Sequence, residues 1–184
     1  ENAITALERM MHSGAVAADG KTGDGSGLLL SLPHEFMRSV AQNANVELPE
    51  MYAVAVVFTR DNKQLERFEK ICNDNDLKVV LNRRVPVDTN ALGEQALATL
   101  PEIYHIFITP NSLMATQRFD ALLYLSRKEI EHALVEEHDF YIASMSARVV
   151  SYKGLIMPTH IKEFYVDLQD ETFKISFALF HQRF

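Results

Sequence analysis

The 184-residue sequence contains one cysteine, no tryptophan and only seven glycines. A single cysteine, Cys72, excludes an internal disulfide and is compatible with a reducing cytoplasm. No apolar run approaches the roughly 20 residues needed to cross a bilayer, and no signal peptide is visible. Basic residues are outnumbered by acidic residues, and the net charge is -7. Lys and Arg are scattered without forming a stripe, so the sequence argues against nucleic acid and membrane partners.

Five of the seven glycines lie between residues 12 and 27, in the stretch HSGAVAADGKTGDGSG. Glycine loses the most conformational freedom on folding, so a cluster indicates backbone angles or close approaches that a side chain would block. The cluster separates a helical pattern from an apolar run, where a short turn would suffice. We therefore expect a loop at a functional site, and a purely structural glycine turn is the alternative that composition leaves open.

Three ligand-binding patterns fit this loop poorly. Residues 15–22 match a loose phosphate-loop pattern, but that loop needs a strand before it and a helix after it. Here a helical pattern precedes and residues 23–27 (GDGSG) follow, which cannot begin a helix. The G-x-G-x-x-G spacing of dinucleotide-binding loops is absent. A calcium loop is also disfavoured, because Lys21 stands where its second oxygen ligand should be. A nucleotide-binding module is therefore disfavoured.

Metal and thiol chemistry are also disfavoured. The histidines form no H-x-x-x-H or H-E-x-x-H pair, so no metal site is predicted. Cys72 lies on a predicted helix in an acidic, amide-rich neighbourhood, where nothing would lower the pKa of its thiol. We expect this cysteine to be buried or inert.

Arg183 is a candidate ligand-binding residue. It ends an apolar, alternating strand pattern, next to His181 and Gln182. A guanidinium in such a place suits a bidentate clamp on a carboxylate. Pairing with a structural acid is the alternative.

The apolar spacing predicts an α+β protein. A first helix that carries Ile4, Leu7, Met10 and Met11 and stops near Gly14 is followed by a strand over 28–32 and a helix over 34–42. A β-α-β-α-β order over residues 51–110 suggests an inserted or flanking α+β unit. Its first helix is predicted to be capped by Asp61 or Asn62 and its second to run from Thr89 or Asn90 through Leu97. The remainder is predicted as a long helix over 118–137, paired strands over 140–144 and 147–152, a short helix after Pro158 and a strand over 173–184. In that last strand the apolar residues alternate at period two: Phe173, Ile175, Phe177, Leu179.

Residues 7–15 (LERMMHSGA) followed by 18–27 (ADGKTGDGSG) resemble the glutaminase domain of glutamate synthase large subunits. That domain is a class II, or N-terminal-nucleophile, glutamine amidotransferase. Three later blocks resemble the same family in the right order, so the resemblance spans essentially residues 1–184. They are residues 84–88 with 92–93, residues 146–154 through 157–158, and residues 177–184 (FALFHQRF).

The resemblance implies a fold and a reaction. The fold is the four-layer α/β/β/α sandwich of N-terminal-nucleophile hydrolases, partial here and with an α+β insertion. The reaction is hydrolysis of the side-chain amide of L-glutamine, in which an N-terminal Cys thiolate attacks the amide and its own α-amine is the base. By the resemblance, Arg183 binds the α-carboxylate of glutamine. The active-site loop beside the nucleophile is shaped by His12, Gly14, Asp24, Gly25 and Gly27.

The sequence also departs from the family. The Cys-Gly block that carries the nucleophile and the Asn-Gly block that holds the oxyanion are absent, and Ser13 stands where the family usually has Arg. We therefore expect no catalytic residue in this chain, no glutaminase activity from it alone, and a longer parent polypeptide. A non-catalytic relative that binds a ligand or partner is the alternative; a Cys-Gly start upstream and an Asn-Gly block downstream in the coding sequence would favour the enzyme.

For the parent, the resemblance implies a cytoplasmic enzyme with 2-oxoglutarate as the ammonia acceptor. FMN and an iron–sulfur cluster are implied for its other domains, which would be the partners of this chain. No cofactor and no metal are expected in the chain itself.

Overall fold

The computed structural model describes residues 2–9 and 22–182 and has a mixed α+β architecture, which confirms the predicted fold class. The helices in these ranges are α1 (Asn2–Glu8), α2 (His34–Asn43), α3 (Asn62–Asp74), α4 (Glu94–Ala98), α5 (Thr116–Ala133) and α6 (Ile161–Phe164). The strands are β1 (Ser26–Ser31), β2 (Ala53–Thr59), β3 (Leu77–Arg84), β4 (Glu102–Pro110), β5 (Tyr141–Ser146), β6 (Val149–Gly154) and β7 (Ala178–Gln182). Short 3-10 helices cover Thr89–Ala91, Pro158–His160 and Val166–Gln169.

The chain divides into two compact units. The first, called the loop unit below, comprises Glu1–Phe36, Val85–Leu100 and Ser151–Phe184. The second, called the helix–sheet unit, comprises Met37–Arg84 and Pro101–Val150. These bounds differ from those of the predicted insertion at residues 51–110, which stays a prediction about domain organisation.

The helix–sheet unit is built on an antiparallel sheet in the order β3-β4-β2-β5. Its central strand β2 reads AVAVVFT and is buried along almost its whole length. A continuous apolar run of this kind is typical of a strand covered on both faces, because neither face then requires polar residues. In the register, Ala55 lies opposite Ile106 of β4 and Met145 of β5.

Helices α3 and α5 pack on this sheet. The side chains of Phe68 on α3 and of Phe119 and Ile130 on α5 are fully buried and share one apolar core with β2 and β4. Burying each such side chain stabilises the fold by about 1.5–3 kcal/mol. Helix α3 begins where predicted, because the carboxylate of Asp61 accepts a hydrogen bond from the Lys63 amide and so caps the helix.

The loop unit contains strands in the order β6-β1-β7, as far as the structure describes it. Strands β1 and β7 are antiparallel, with Gly27 opposite His181 and Ser26 opposite Gln182. This strand pair brings residues 26–30 and 178–182 together, although about 150 residues separate the partners in sequence.

Aromatic side chains hold β6 in the loop unit. The ring of Tyr152 on β6 packs edge-on against Tyr165, with 4.9 Å between ring centroids, and against Phe173 at 5.7 Å. The Tyr165 hydroxyl donates a hydrogen bond of 2.7 Å to the Lys153 carbonyl, and burial raises the pKa of this tyrosine. The Tyr152 hydroxyl donates to the buried Asp167 carboxylate at 3.2 Å. These bonds satisfy the polar ends of rings that are otherwise in an apolar environment.

Residues 85–100 join the loop unit through backbone hydrogen bonds. Val87 forms an antiparallel bridge with Tyr165, and the Asp88 amide donates to the Phe164 carbonyl at 2.9 Å. The predicted single helix from Thr89 or Asn90 through Leu97 is wrong. It is divided into a 3-10 turn and α4, because Leu92 is extended and Gly93 caps the second helix.

Two further predictions about strands are wrong. Residues 140–144 and 147–152 do form strands, but β5 pairs with β2 in one sheet whereas β6 neighbours β1 in the other. The final strand begins at Ala178 and not at Phe173. Residues before it are held by other contacts: the Phe173 ring lies 5.1 Å from that of Phe36, and Lys174 pairs with Glu35 at 3.0 Å.

None of the helices in residues 2–9 and 22–182 is long and apolar enough to cross a membrane.

Candidate functional site

The second half of the glycine-rich stretch, residues 22–27, passes directly into strand β1, which begins at Ser26. A phosphate loop would be followed by a helix, so the structure agrees with the sequence argument against a nucleotide-binding module. Gly25 has a φ of 108°. This is the backbone region that glycine adopts readily and that strains other residues, so one glycine of the loop is explained by backbone conformation.

A buried hydrogen bond fixes the loop to the segment that follows β6. The hydroxyl of Ser26, which is fully buried, donates to the Ile156 carbonyl at 2.9 Å. The same segment approaches the loop at Gly23, where an added Cβ would lie 3.2 Å from Met157 Cγ. The loop therefore ends in a place determined by residues 156–157, and the aromatic cluster around Tyr152 holds the strand that leads to them.

At Gly27 the neighbouring side chains leave little room for a Cβ. A Cβ built on this residue would lie 3.0 Å from His181 Cε1, closer still to His181 Nε2, and 3.1 Å from Lys153 Cβ. A side chain at position 27 would therefore require the exposed His181 imidazole to rotate away and the Lys153 side chain to shift slightly.

The predicted site residues fall into two groups. Asp24, Gly25 and Gly27 are described: the Asp24 side chain is exposed, whereas Gly25 and Gly27 are buried. His12, Gly14 and Arg183 lie outside the described residues. The chain position immediately before Arg183 is nevertheless known, because Gln182 is the register partner of Ser26. The structure thus brings the end of the glycine loop and the end of the FALFHQ segment side by side.

Cys72 is buried in the core between α3 and the sheet of the helix–sheet unit. Burial, with a smaller contribution from the Glu69 carboxylate, raises the pKa of its thiol to about 12. This burial confirms the prediction of a buried or inert cysteine, and a neutral, inaccessible thiol is a poor nucleophile. Across residues 2–9 and 22–182, no group of three or more His, Cys, Asp and Glu side chains is arranged to hold a metal ion.

Sequence reasoning missed two residues that shape this site. Ser26 stood within the glycine block but was not singled out, and His181 was taken only as an unlikely metal ligand. Neither role has a local sequence signal, because Ser26 bonds to a residue 130 positions away and His181 packs on a residue of another strand.

The chain belongs to the class II glutamine amidotransferases, since the family described as "Glutamine amidotransferases class-II" matches residues 1–184. The particular relatives that it resembles are glutamate synthases. It is 36% identical to the large chain of glutamate synthase [NADPH] from Azospirillum brasilense and 38% identical to that from Bacillus subtilis. It is also 36% identical to glutamate synthase [NADH] from Saccharomyces cerevisiae.

These alignments cover 100%, 97% and 97% of this chain but 13%, 12% and 9% of the three relatives. The chain therefore spans about an eighth of the length of the two bacterial relatives and less of the yeast relative.

Proposed function

We propose that this chain is part of the glutaminase domain of a glutamate synthase. The complete domain hydrolyses L-glutamine to glutamate and ammonia, and the ammonia is transferred to 2-oxoglutarate in the parent enzyme. The observation that supports this proposal is the pairing of β1 with β7, in which Gln182, the residue before Arg183 in the sequence, lies opposite Ser26 at the end of the glycine loop. Family membership supplies the chemistry that such a site would perform.

In this proposal Arg183 binds the substrate. A guanidinium presents parallel N–H donors that match both oxygens of a carboxylate, so it orients the α-carboxylate of glutamine as well as attracting it. The glycine loop, with His12, Gly14, Asp24, Gly25 and Gly27, shapes the wall beside the reacting amide. These residues position the substrate and carry out no bond-making step.

The nucleophile comes from another segment of the parent. Attack on the glutamine amide needs an accessible nucleophile, and the single cysteine of this chain is buried with a raised pKa. A thiolate from outside this chain attacks the amide carbonyl, the C–N bond breaks with release of ammonia, and water hydrolyses the resulting thioester. An oxyanion donor set is likewise supplied from elsewhere, and the chain alone is inactive.

The cofactors implied for glutamate synthases also belong to other segments. An iron–sulfur cluster is held by several cysteine thiolates, and this chain has one cysteine, so its residues do not fit such a cluster. No step proposed here runs through the cluster or through FMN. The partners in this proposal are the remaining domains of the parent polypeptide, and its cytoplasmic location stays a prediction.

The test is glutamine hydrolysis by the complete polypeptide that contains this chain, compared with an Arg183→Ala variant. We expect the wild type to release ammonia, and the variant to raise the KM for glutamine roughly 10- to 100-fold, because a charged pair to the substrate is lost. Arg118→Ala is the matched control, because Arg118 is an exposed arginine of α5 that pairs with Asp76 at 3.9 Å. The KM of this variant for glutamine should equal that of the wild type.

Two outcomes would contradict the proposal. A complete polypeptide without glutaminase activity would favour the non-catalytic relative that binds a ligand or partner. Robust ammonia release by residues 1–184 alone would show that the nucleophile lies within this chain.

A further inference from the structure

Two tyrosine hydroxyls close a loop of the chain that follows strand β6. The Tyr165 hydroxyl donates to the Lys153 carbonyl at 2.7 Å, across 12 positions of sequence. The Tyr152 hydroxyl donates to Asp167 Oδ2 at 3.2 Å, across 15 positions. Each of the two chain segments thus contributes one donor and one acceptor. Residues 153–165, which these bonds close at their base, are called the clasped segment below.

The closure lies in the interior of the loop unit. Tyr152 and Tyr165 are each 1% exposed, and Asp167 is 3% exposed. The two tyrosine rings meet edge-on at 4.9 Å, and the ring of Phe164 packs edge-on against Tyr165 at 4.7 Å. Burial raises the pKa of Tyr165, so its hydroxyl remains protonated and available as a donor well above neutral pH. Water does not readily replace hydrogen bonds in such a place, so the closure has a defined geometry.

The clasped segment supports the glycine loop. The Ile156 carbonyl accepts the hydrogen bond of the Ser26 hydroxyl at 2.9 Å, and both residues are buried. The next carbonyl, that of Met157, accepts the His160 amide at 2.9 Å within the segment. The position of Ser26 therefore depends on Ile156, and the position of Ile156 depends on the closure of the segment that contains it.

We propose that Tyr152 and Tyr165 are positioning residues for the glutamine site, an inference that rests on the proposed function above. Their hydroxyls hold the clasped segment closed, and this segment holds the end of the glycine loop through Ser26. The wall beside the substrate is then ordered before glutamine arrives, so binding does not have to supply the free energy of ordering it. Neither tyrosine contacts the substrate in this role.

Tyr165→Phe and Tyr152→Phe in the complete polypeptide test the proposal, with glutamine hydrolysis measured over a range of substrate concentrations. Each substitution removes one oxygen and keeps the ring in the aromatic cluster. The KM for glutamine should rise about three- to tenfold and kcat should change less than about twofold, because a wall that must be ordered on binding weakens the ground and transition states alike. A smaller folded fraction would lower the measured kcat and leave the KM unchanged, so the KM separates positioning from a general loss of stability.

A double-mutant cycle with Ser26→Ala tests how the effect reaches the glycine loop. Ser26→Ala removes the bond that joins the loop to the clasped segment. In this background Tyr165→Phe should change the KM by less than about twofold, because the segment can no longer act on the loop through that bond. Equal fold-changes of the KM in the two backgrounds would overturn the proposal.

Tyr104→Phe is the matched control. The Tyr104 hydroxyl also donates to a side chain, Glu102 Oε2 at 2.8 Å, but in the helix–sheet unit. Its KM should equal that of the wild type. Hydrogen exchange gives a readout besides activity: amides of residues 155–157 should exchange about three- to tenfold faster in Tyr165→Phe and at the wild-type rate in Tyr104→Phe.

The outcomes distinguish this inference from the proposed function. An inactive wild type overturns the proposed function, and the role of the two tyrosines in a glutamine site with it. An active wild type whose KM is unchanged by both Tyr165→Phe and Tyr152→Phe, or whose exchange at residues 155–157 is unchanged by Tyr165→Phe, overturns the positioning role alone. If one of the two variants does not fold, the other decides the test.

Discussion

Replacement of Ser26 by alanine tests how the glycine loop is held. The hydroxyl is fully buried and donates to the Ile156 carbonyl at 2.9 Å, and Ile156 itself is 2% exposed. Removing the hydroxyl leaves this carbonyl without its donor in a place that water does not reach. An unsatisfied buried acceptor costs about 1–3 kcal/mol. The local free energy of opening at the loop should fall by this amount.

Hydrogen exchange in the complete polypeptide measures this opening directly. A loss of about 1–3 kcal/mol corresponds to exchange that is roughly 5- to 150-fold faster. The faster exchange should be confined to the amides of β1 and of residues 156, 157, 159 and 160, since residue 158 is a proline without an amide hydrogen. Amides of α3, which lies in the helix–sheet unit, should keep their wild-type rates.

Ser31→Ala is the matched control for Ser26→Ala. Ser31 is on the same strand and its hydroxyl accepts a hydrogen bond of 2.8 Å from the Ser176 amide, but this bond is exposed. Water can replace it, so exchange should change by less than about twofold. Equal rates in Ser26→Ala and the wild type would refute the claim that this bond fixes the loop, as would an equal effect of Ser31→Ala.

Two further predictions concern the helix–sheet unit. Cys72 should not react with a thiol reagent at pH 8 while the protein is folded. Its pKa is raised from 9.0 to about 12, so the contribution of its neutral thiol to the free energy of unfolding is complete below pH 9 and declines as the pH rises from 9 towards 12. Rapid modification of the folded protein, or stability that rises over that interval, would contradict the burial argument. Asp61→Ala should cost about 1 kcal/mol by removing the cap of α3, seen as faster exchange in its first turn. Asp74→Ala at the opposite end of α3 is the control: it removes only the exposed ion pair with Lys70 in the last turns and should leave exchange in the first turn unchanged.

Local sequence was sufficient where an element is determined by its own residues. Helix α3 was predictable because Asp61 caps it and Leu65, Phe68 and Ile71 recur at helical spacing. Strand β2 was predictable because its apolar run has strand length and ends in polar residues. In both cases the chemistry that forms the element lies within about a dozen residues of it.

Strand pairing was not predictable in the same way. Strands β5 and β6 are adjacent in sequence and have similar strand patterns, yet β5 pairs with β2, about 85 residues earlier in the sequence. Residues 173–177 carry an alternating apolar pattern, but contacts of Phe173 and Lys174 with Phe36 and Glu35 hold them outside the strand. Local periodicity contains no information about such distant partners.

The candidate site divides along the same line. Clustered glycines, and the motifs that resemble the amidotransferase family, were sufficient to predict a site loop and the class of protein. Only the structure distinguishes Gly25, which has a positive φ, from Gly27, which lies beside the His181 ring because β1 pairs with β7.

By itself, the sequence determined the α+β class, the buried cysteine and the family, because these depend on composition, local periodicity and motif order. Only the tertiary structure decided that Ser26 is fixed to Ile156 and that His181 occupies the space above Gly27. Those contacts join residues more than 100 positions apart, and folding alone brings them within reach of each other.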